Sequence, residues 1–91
     1  MPATNIYYYQ YYTHAGMVSL IPEAKGRYKV MFGNENLGSY HSAAAAADDV
    51  SGGHTTTSSS GIDLGDLDIP SDLGEWTRKL FAAFERLRPS Y

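Results

Sequence analysis

Apolar positions along the chain follow two rhythms, strand-like alternation in the first half and helical spacing later. From Ile6 to Tyr12, IYYYQYY, nearly every residue is tyrosine, whose ring suits the pleated surface of a strand. Under period-two alternation Tyr7, Tyr9 and Tyr11 share one face, and Ile6, Tyr8, Gln10 and Tyr12 share the other. His14, Ala15 and Gly16 read as a turn, and Val18 to Ile21 as a second strand stopped by Pro22. The chain turns again at Gly26. Arg27 to Phe32 alternates cleanly, with Tyr28, Val30 and Phe32 toward a core and Arg27, Lys29 and Met31 outward. Gly33 to Asn36, GNEN, has the residues of a hairpin loop, and Leu37 to Tyr40 returns as the next strand.

Ser42 then predicts a helix N-cap, with helix from Ala43 to about Val50. Alanine has the highest helix propensity, and its small side chain lets a helix sit close to a sheet. Ala43, Ala46, Ala47 and Val50 fall on one stripe at helical spacing. A helix this short does not stand alone in water, so packing must hold it. Gly52 and Gly53 end it, and HTTTSSSG reads as a polar, mobile loop. In IDLGDLDIP the apolar residues Ile62, Leu64, Leu67 and Ile69 stand among aspartates and glycines, the pattern of an irregular segment pinned by apolar anchors. Ser71 predicts a second N-cap, followed by an amphipathic stripe of Leu73, Trp76, Leu80, Phe84 and Leu87 that ends at Pro89.

These elements predict a single small α+β domain over residues 1–91. Its core spans 5–50, a loop follows at 51–61, and an anchored segment with a C-terminal amphipathic helix covers 62–88. The architecture expected is a small antiparallel sheet of three to four strands, with one short Ala-rich helix packed across it. Cysteine is absent, which removes disulfides and thiolate metal sites and suits a reducing, cytoplasmic setting. The N-terminal residues lack the basic-then-apolar order of a signal peptide, and no apolar run reaches the roughly 20 residues of a membrane span. No membrane partner is expected.

Charge is segregated behind a net of −3. Asp48, Asp49, Asp63, Asp66, Asp68, Asp72 and Glu75 fill the middle of the chain with no base among them. Lys25, Arg27 and Lys29 precede them, and Arg78, Lys79, Arg86 and Arg88 follow. This order suggests internal neutralisation. Asp48 and Asp49 lie at a helix C-terminus, where the dipole disfavours them by a few tenths to about 1 kcal/mol each. One of them is expected to anchor the following loop or the last helix.

The run GRYKVMFGNENLGSYHSAAAAADDVSGGHT, with GIDLGDLDIPSDLGEW downstream, resembles a group of small bacterial proteins of uncharacterised function. The likeness lies in an LG-x-Y strand, an Ala-rich AADD helix, a Gly-Gly-His turn and an IP-x-DL-x-x-W ending. LGSY leading into AAAAADD is also distantly similar to the ethylene-response type of DNA-binding domain, a three-stranded sheet packed on one helix. That resemblance implies DNA contacts from strand residues, which by position are Lys25, Arg27 and Lys29. Trp76, the sole tryptophan, lies outside the matching strands.

Candidate chemistry beyond binding is sparse. His14, His41 and His54 show no zinc-ligand spacing, and Asp63, Asp66 and Asp68 do not keep the register of a calcium loop. Ser39, Ser42 and Ser51 lie near His41, His54, Asp48 and Asp49 in sequence, but a triad is a geometry, and Ser42 is better explained as a cap. The sequence reading is therefore a non-enzymatic binding module without cofactor or metal, whose partner is a protein or a second copy of itself. Its expected surface is Tyr7, Tyr9 and Tyr11 with Phe81, Phe84 and Leu87. The alternative is a DNA-binding module using the strand face at Arg27 to Phe32.

Overall fold

The computed structural model describes residues 5–54 and 58–83. Five antiparallel strands form one sheet in the order β4-β3-β2-β1-β5. They are β1 (Asn5–Thr13), β2 (Gly16–Pro22), β3 (Tyr28–Phe32), β4 (Glu35–Tyr40) and β5 (Thr77–Ala83), with one helix, α1 (Ala43–Ser51), after β4. The small α+β architecture is as expected. The sheet has five strands where three to four were predicted, and β5 replaces the first part of the C-terminal helix.

The alternation in RYKVMF sets the packing. Val18 pairs with Phe32, Leu20 with Val30 and Tyr9 with Leu20, so these residues share the face turned to α1. The β3–β4 hairpin closes through Gly33 and Asn34, with Phe32 opposite Glu35. The ladder then slips, since Val30 pairs with Gly38 and Met31 with Asn36, leaving Leu37 as the extra residue of a bulge. Gly38 takes φ 151°, and the bulge delivers Leu37 to the core, only 2% exposed. This explains the LG pair.

Ser42 Oγ accepts a hydrogen bond from Ala45 N at 3.1 Å and starts α1 as predicted. Ala43, Ala46, Ala47 and Val50 are all buried, the stripe expected from their spacing. They meet Val18, Leu20, Val30 and Leu37 of the sheet and Leu64, Leu67, Ile69 and Trp76 of the segment that follows. That segment is irregular, as its mixed pattern suggested, with a 3-10 turn at Leu64–Leu67. The turn ending α1 crosses it closely, and a Cβ on Gly65 would stand 2.7 Å from Gly53 Cα.

The loop after α1 is better held than its composition implied. Ser58 is buried, and its Oγ accepts from Ile62 N at 3.1 Å. Ser59 N donates to Glu35 at 2.9 Å. Residues 55–57 lie outside the described part.

The predicted C-terminal helix is corrected. Asp72, not Ser71, supplies the cap, accepting from Gly74 N at 2.9 Å, and it caps only a 3-10 turn at Leu73–Glu75. Trp76 is already extended, at φ −91° and ψ 156°. Thr77–Ala83 then runs antiparallel to β1, with Gln10 opposite Thr77 and Tyr7 opposite Leu80. The residues TRKLFAA carry good helix propensity, but the second edge of β1 offers a row of backbone donors and acceptors that a strand satisfies and a helix does not. Tertiary pairing overrides local preference here. Phe84 and Leu87 lie outside the described residues.

Candidate functional site

One face of the sheet is covered by α1 and the 62–76 segment, and the other is open. Register assigns the tyrosines. Tyr9 and Tyr11 stand opposite Leu20 and Val18 and pack against the core. Tyr11 lies 5.7 Å from the ring of Trp76, and Tyr9 lies 6.3 Å from that of Tyr28. Tyr7, on the same row, passes beyond the covering layer, with Arg78 Cζ 4.3 Å above its ring. The candidate row Tyr7, Tyr9 and Tyr11 is thus mostly structural. The alternate row, Ile6, Tyr8, Gln10 and Tyr12, faces outward.

Two contacts explain this choice of face. Trp76 is 5% exposed and donates Nε1–H to Pro70 O at 2.9 Å, which fixes its indole against β1. Tyr28 donates its hydroxyl to Tyr7 O at 2.9 Å. That carbonyl lies past the last β1–β2 pair, Tyr9 with Leu20, and the phenol supplies it with a donor. Burial first, and then the neighbouring Tyr9, push the Tyr28 hydroxyl above its ordinary pKa.

On the open face Tyr12 is 73% exposed and Phe81 53%, and the Phe81 ring meets Tyr8 edge-on at 6.2 Å. Lys79 pairs with Tyr8, and Lys29 pairs with Ile21. The register carried one step past Tyr9–Leu20 sets these two pairs side by side. Lys29 and Lys79 therefore flank Ile21 and Tyr8 across four strands, roughly 14 Å apart at the backbone. Met17, opposite Tyr12, and Met31, opposite Ser19, extend the apolar part.

Charge is sorted by layer. Asp63, Asp66, Asp68, Asp72 and Glu75 are exposed on the segment that covers the other face, with Asp48 on α1. Lys29 and Lys79 belong to the open face, and among the described residues neither has a carboxylate within salt-bridge distance; the pair within 4.0 Å is His54 Nδ1 with Asp49 Oδ1. Arg27 is more engaged. Its Nε donates to Ser39 Oγ at 3.1 Å and its Nη2 to Ser39 O at 3.2 Å, while Ser39 Oγ donates to Glu23 Oε1 at 2.6 Å. Lys25 is exposed in the turn at Ala24–Gly26. Of the three candidate nucleic-acid contacts, Lys29 thus lies on the open face, Arg27 is held at its margin, and Lys25 stands apart in a loop.

Of the two aspartates, Asp49 is the one whose carboxylate turns toward neighbouring residues. Besides His54 in the Gly-Gly-His turn, its carboxylate lies beside Tyr40, whose hydroxyl pKa is raised by burial first and by Asp49 second. Asp48 is exposed. Ser42 is occupied as a helix cap. Among the described residues no three His, Asp or Glu side chains cluster to hold a metal ion, and no helix is long and apolar enough to cross a membrane.

A second feature was not legible in sequence. A cleft of about 300 Å³ on the covered side is lined by Tyr9, Leu73, Gly74, Trp76 and Arg78, directly beside β5. In comparisons with known proteins, no family model, no curated protein sequence and no solved structure matches the chain.

Proposed function

We propose that this protein is a non-enzymatic binding module that takes a protein partner on the open sheet face at its β1–β5 end. The observation that carries the reading is an aromatic and apolar row on the side away from α1, with Tyr12 and Phe81 exposed and Tyr8, Ile21 and Met31 half-buried, bordered by Lys29 and Lys79. Aromatic residues supply much of the contact area at protein interfaces, and exposed clusters of them mark such surfaces. Two open faces brought together would oppose lysine with lysine. A different protein with an apolar, acidic patch is the better complement.

The second reading is nucleic acid. Its support is that β2, β3, β4 and α1 form a three-strand-and-helix unit with Lys29 on the side away from the helix. Phosphate contacts from Lys and Arg dominate such binding and make it strongly salt-dependent.

One set of amide NMR spectra tests both. A mixed-sequence duplex at low salt, then at higher salt, should leave the spectrum unchanged; salt-sensitive shifts over residues 27–40 would replace the first reading with the second. A partner purified by affinity and returned in pure form should shift Tyr8, Tyr12, Lys79 and Phe81. A footprint confined to α1 and the acidic segment would overturn the open-face assignment.

A further inference from the structure

We infer that β5 receives an extended acidic segment of the partner by strand addition, in a register read by Arg78, Lys79 and the adjoining cleft. The inference rests on the protein-binding reading and specifies its mode.

β5 ends the sheet, and among the described residues no strand pairs with its outer edge. Thr77, Arg78, Lys79 and Leu80 are all exposed, Leu80 by 56%. An edge strand presents unpaired N–H and C=O groups that another chain completes, and pockets beside the edge select alternate side chains. The cleft formed by Tyr9, Leu73, Gly74, Trp76 and Arg78 is such a pocket. Its volume is at the lower end of ligand sites, roughly 300–1,000 Å³, enough for one side chain and not for a whole peptide.

Successive side chains of an added strand fall on opposite faces, and a directly opposed pair shares a face. Arg78 is on the cleft side, since its guanidinium covers the Tyr7 ring. Lys79 is on the open side with Tyr8. Consecutive residues opposite these two positions therefore meet one cation each, one on either face. An acidic pair satisfies both, and neither cation has a carboxylate within 4.0 Å among the described residues. Opposite Trp76 an apolar side chain enters the cleft, and opposite Leu80 another covers exposed apolar surface. The bulge that leaves Phe81 out of the β1 ladder ends the regular edge there. Read antiparallel to β5, the partner segment has the form apolar, acidic, acidic, any, apolar.

A second copy of β5 fits less well. A two-fold antiparallel pairing of two β5 edges keeps the faces matched and so centres on one residue; centred on Arg78 or on Lys79 it opposes two like cations, and centred on Thr77 it sets Arg78 opposite Trp76, where the cleft takes an apolar side chain.

The test uses the full chain, labelled for NMR, and two end-blocked peptides, Val-Glu-Glu-Thr-Leu and Val-Lys-Lys-Thr-Leu. The Glu peptide should shift the Thr77–Leu80 amides and the Trp76 indole, and should bind about tenfold more tightly than the Lys peptide at low salt. Lys79→Glu should weaken the Glu peptide; Arg78→Glu with Lys79→Glu should reverse the preference. Lys79 is exposed, so the single variant guards against misfolding of the double one. Equal binding of both peptides, or shifts restricted to Tyr8, Tyr12 and Met31, would remove strand addition and leave the open-face reading standing. No shift with either peptide at millimolar concentration would also overturn it, leaving Arg78 and Lys79 as guards against edge aggregation. So would a chain that dimerises without peptide and protects the β5 amides.

Discussion

The close crossing of Gly53 and Gly65 allows a sharp test of how the irregular segment is held. In Gly65→Ala the new Cβ would stand 2.7 Å from Gly53 Cα and 3.0 Å from Gly53 N. Carbon pairs settle at about 3.5–4.0 Å, so the two backbones must part by roughly 1 Å. Neither is free to move. Gly53 N donates to Val50 O at 3.2 Å, and His54 N to Asp49 O at 2.9 Å. Gly65 N donates to Asp63 Oδ1 at 2.9 Å, and Leu64 beside it is 1% exposed. Overpacking of this kind costs about 1–3 kcal/mol, against a gain of about 0.4–1 kcal/mol from the stiffer unfolded chain. Gly65 does not have a positive φ, so backbone strain adds nothing. The net is a loss of roughly 1–2 kcal/mol, which for a chain this long lowers Tm by roughly 4–16 °C. Urea unfolding followed by the emission of Trp76, the single tryptophan, measures it, with the denaturant slope unchanged. Gly74→Ala is the control, because its nearest neighbour is the Asp72 carboxylate at 3.2 Å, the far end of a side chain. A Gly65→Ala protein as stable as the parent, or more so, would refute the argument that backbone contact fixes this crossing.

Ser42→Ala should cost about 1 kcal/mol by removing the acceptor for Ala45 N, read from the same urea curves; Ser42→Gly should cost only a few tenths. Asp49→Asn should lower Tm measurably by weakening the contact with His54, whereas Asp48→Asn should leave it unchanged or slightly raised, because it removes an exposed charge from the unfavourable end of α1. Tyr28 and Tyr40 hold their protons more tightly in the fold than in the unfolded chain. Their contribution is therefore complete below about pH 10 and declines as pH rises through the raised values. Tm measured at intervals from neutral into the alkaline range should fall at the top, and Tyr40→Phe should flatten that fall; an unchanged slope would remove Tyr40 from the account.

Local chemistry made much of this fold readable. Ser42 and the stripe Ala43, Ala46, Ala47 and Val50 specify a capped helix with one buried side whatever lies around them. The alternation of Tyr28, Val30 and Phe32 does the same for β3. Leu64, Leu67 and Ile69 are buried as anchors without needing a regular element. Two matters were not local. In IYYYQYY both faces are chemically alike, so the inward row is chosen by distant partners, Trp76 and Tyr28. Thr77–Ala83 suits a helix by composition, and only the waiting edge of β1 makes it a strand. The candidate surface shifted accordingly, from Tyr7, Tyr9 and Tyr11 to Tyr8 and Tyr12, while Phe81 kept its place at the exposed end.

Residues 5–10 of β1 meet residues 77–83 of β5, so among the described residues the strand made earliest is joined to the one made latest. During synthesis β2, β3, β4 and α1 have all left the ribosome before β1 gains its second neighbour. Contacts this far apart in sequence are slow to form, because the intervening chain must be closed into a loop first. For that interval one edge of a tyrosine-rich strand is uncovered. Until Trp76 and β5 arrive, the second edge of β1 stays bare, and a chain stopped short of them would keep a tyrosine edge ready to pair with whatever strand came next.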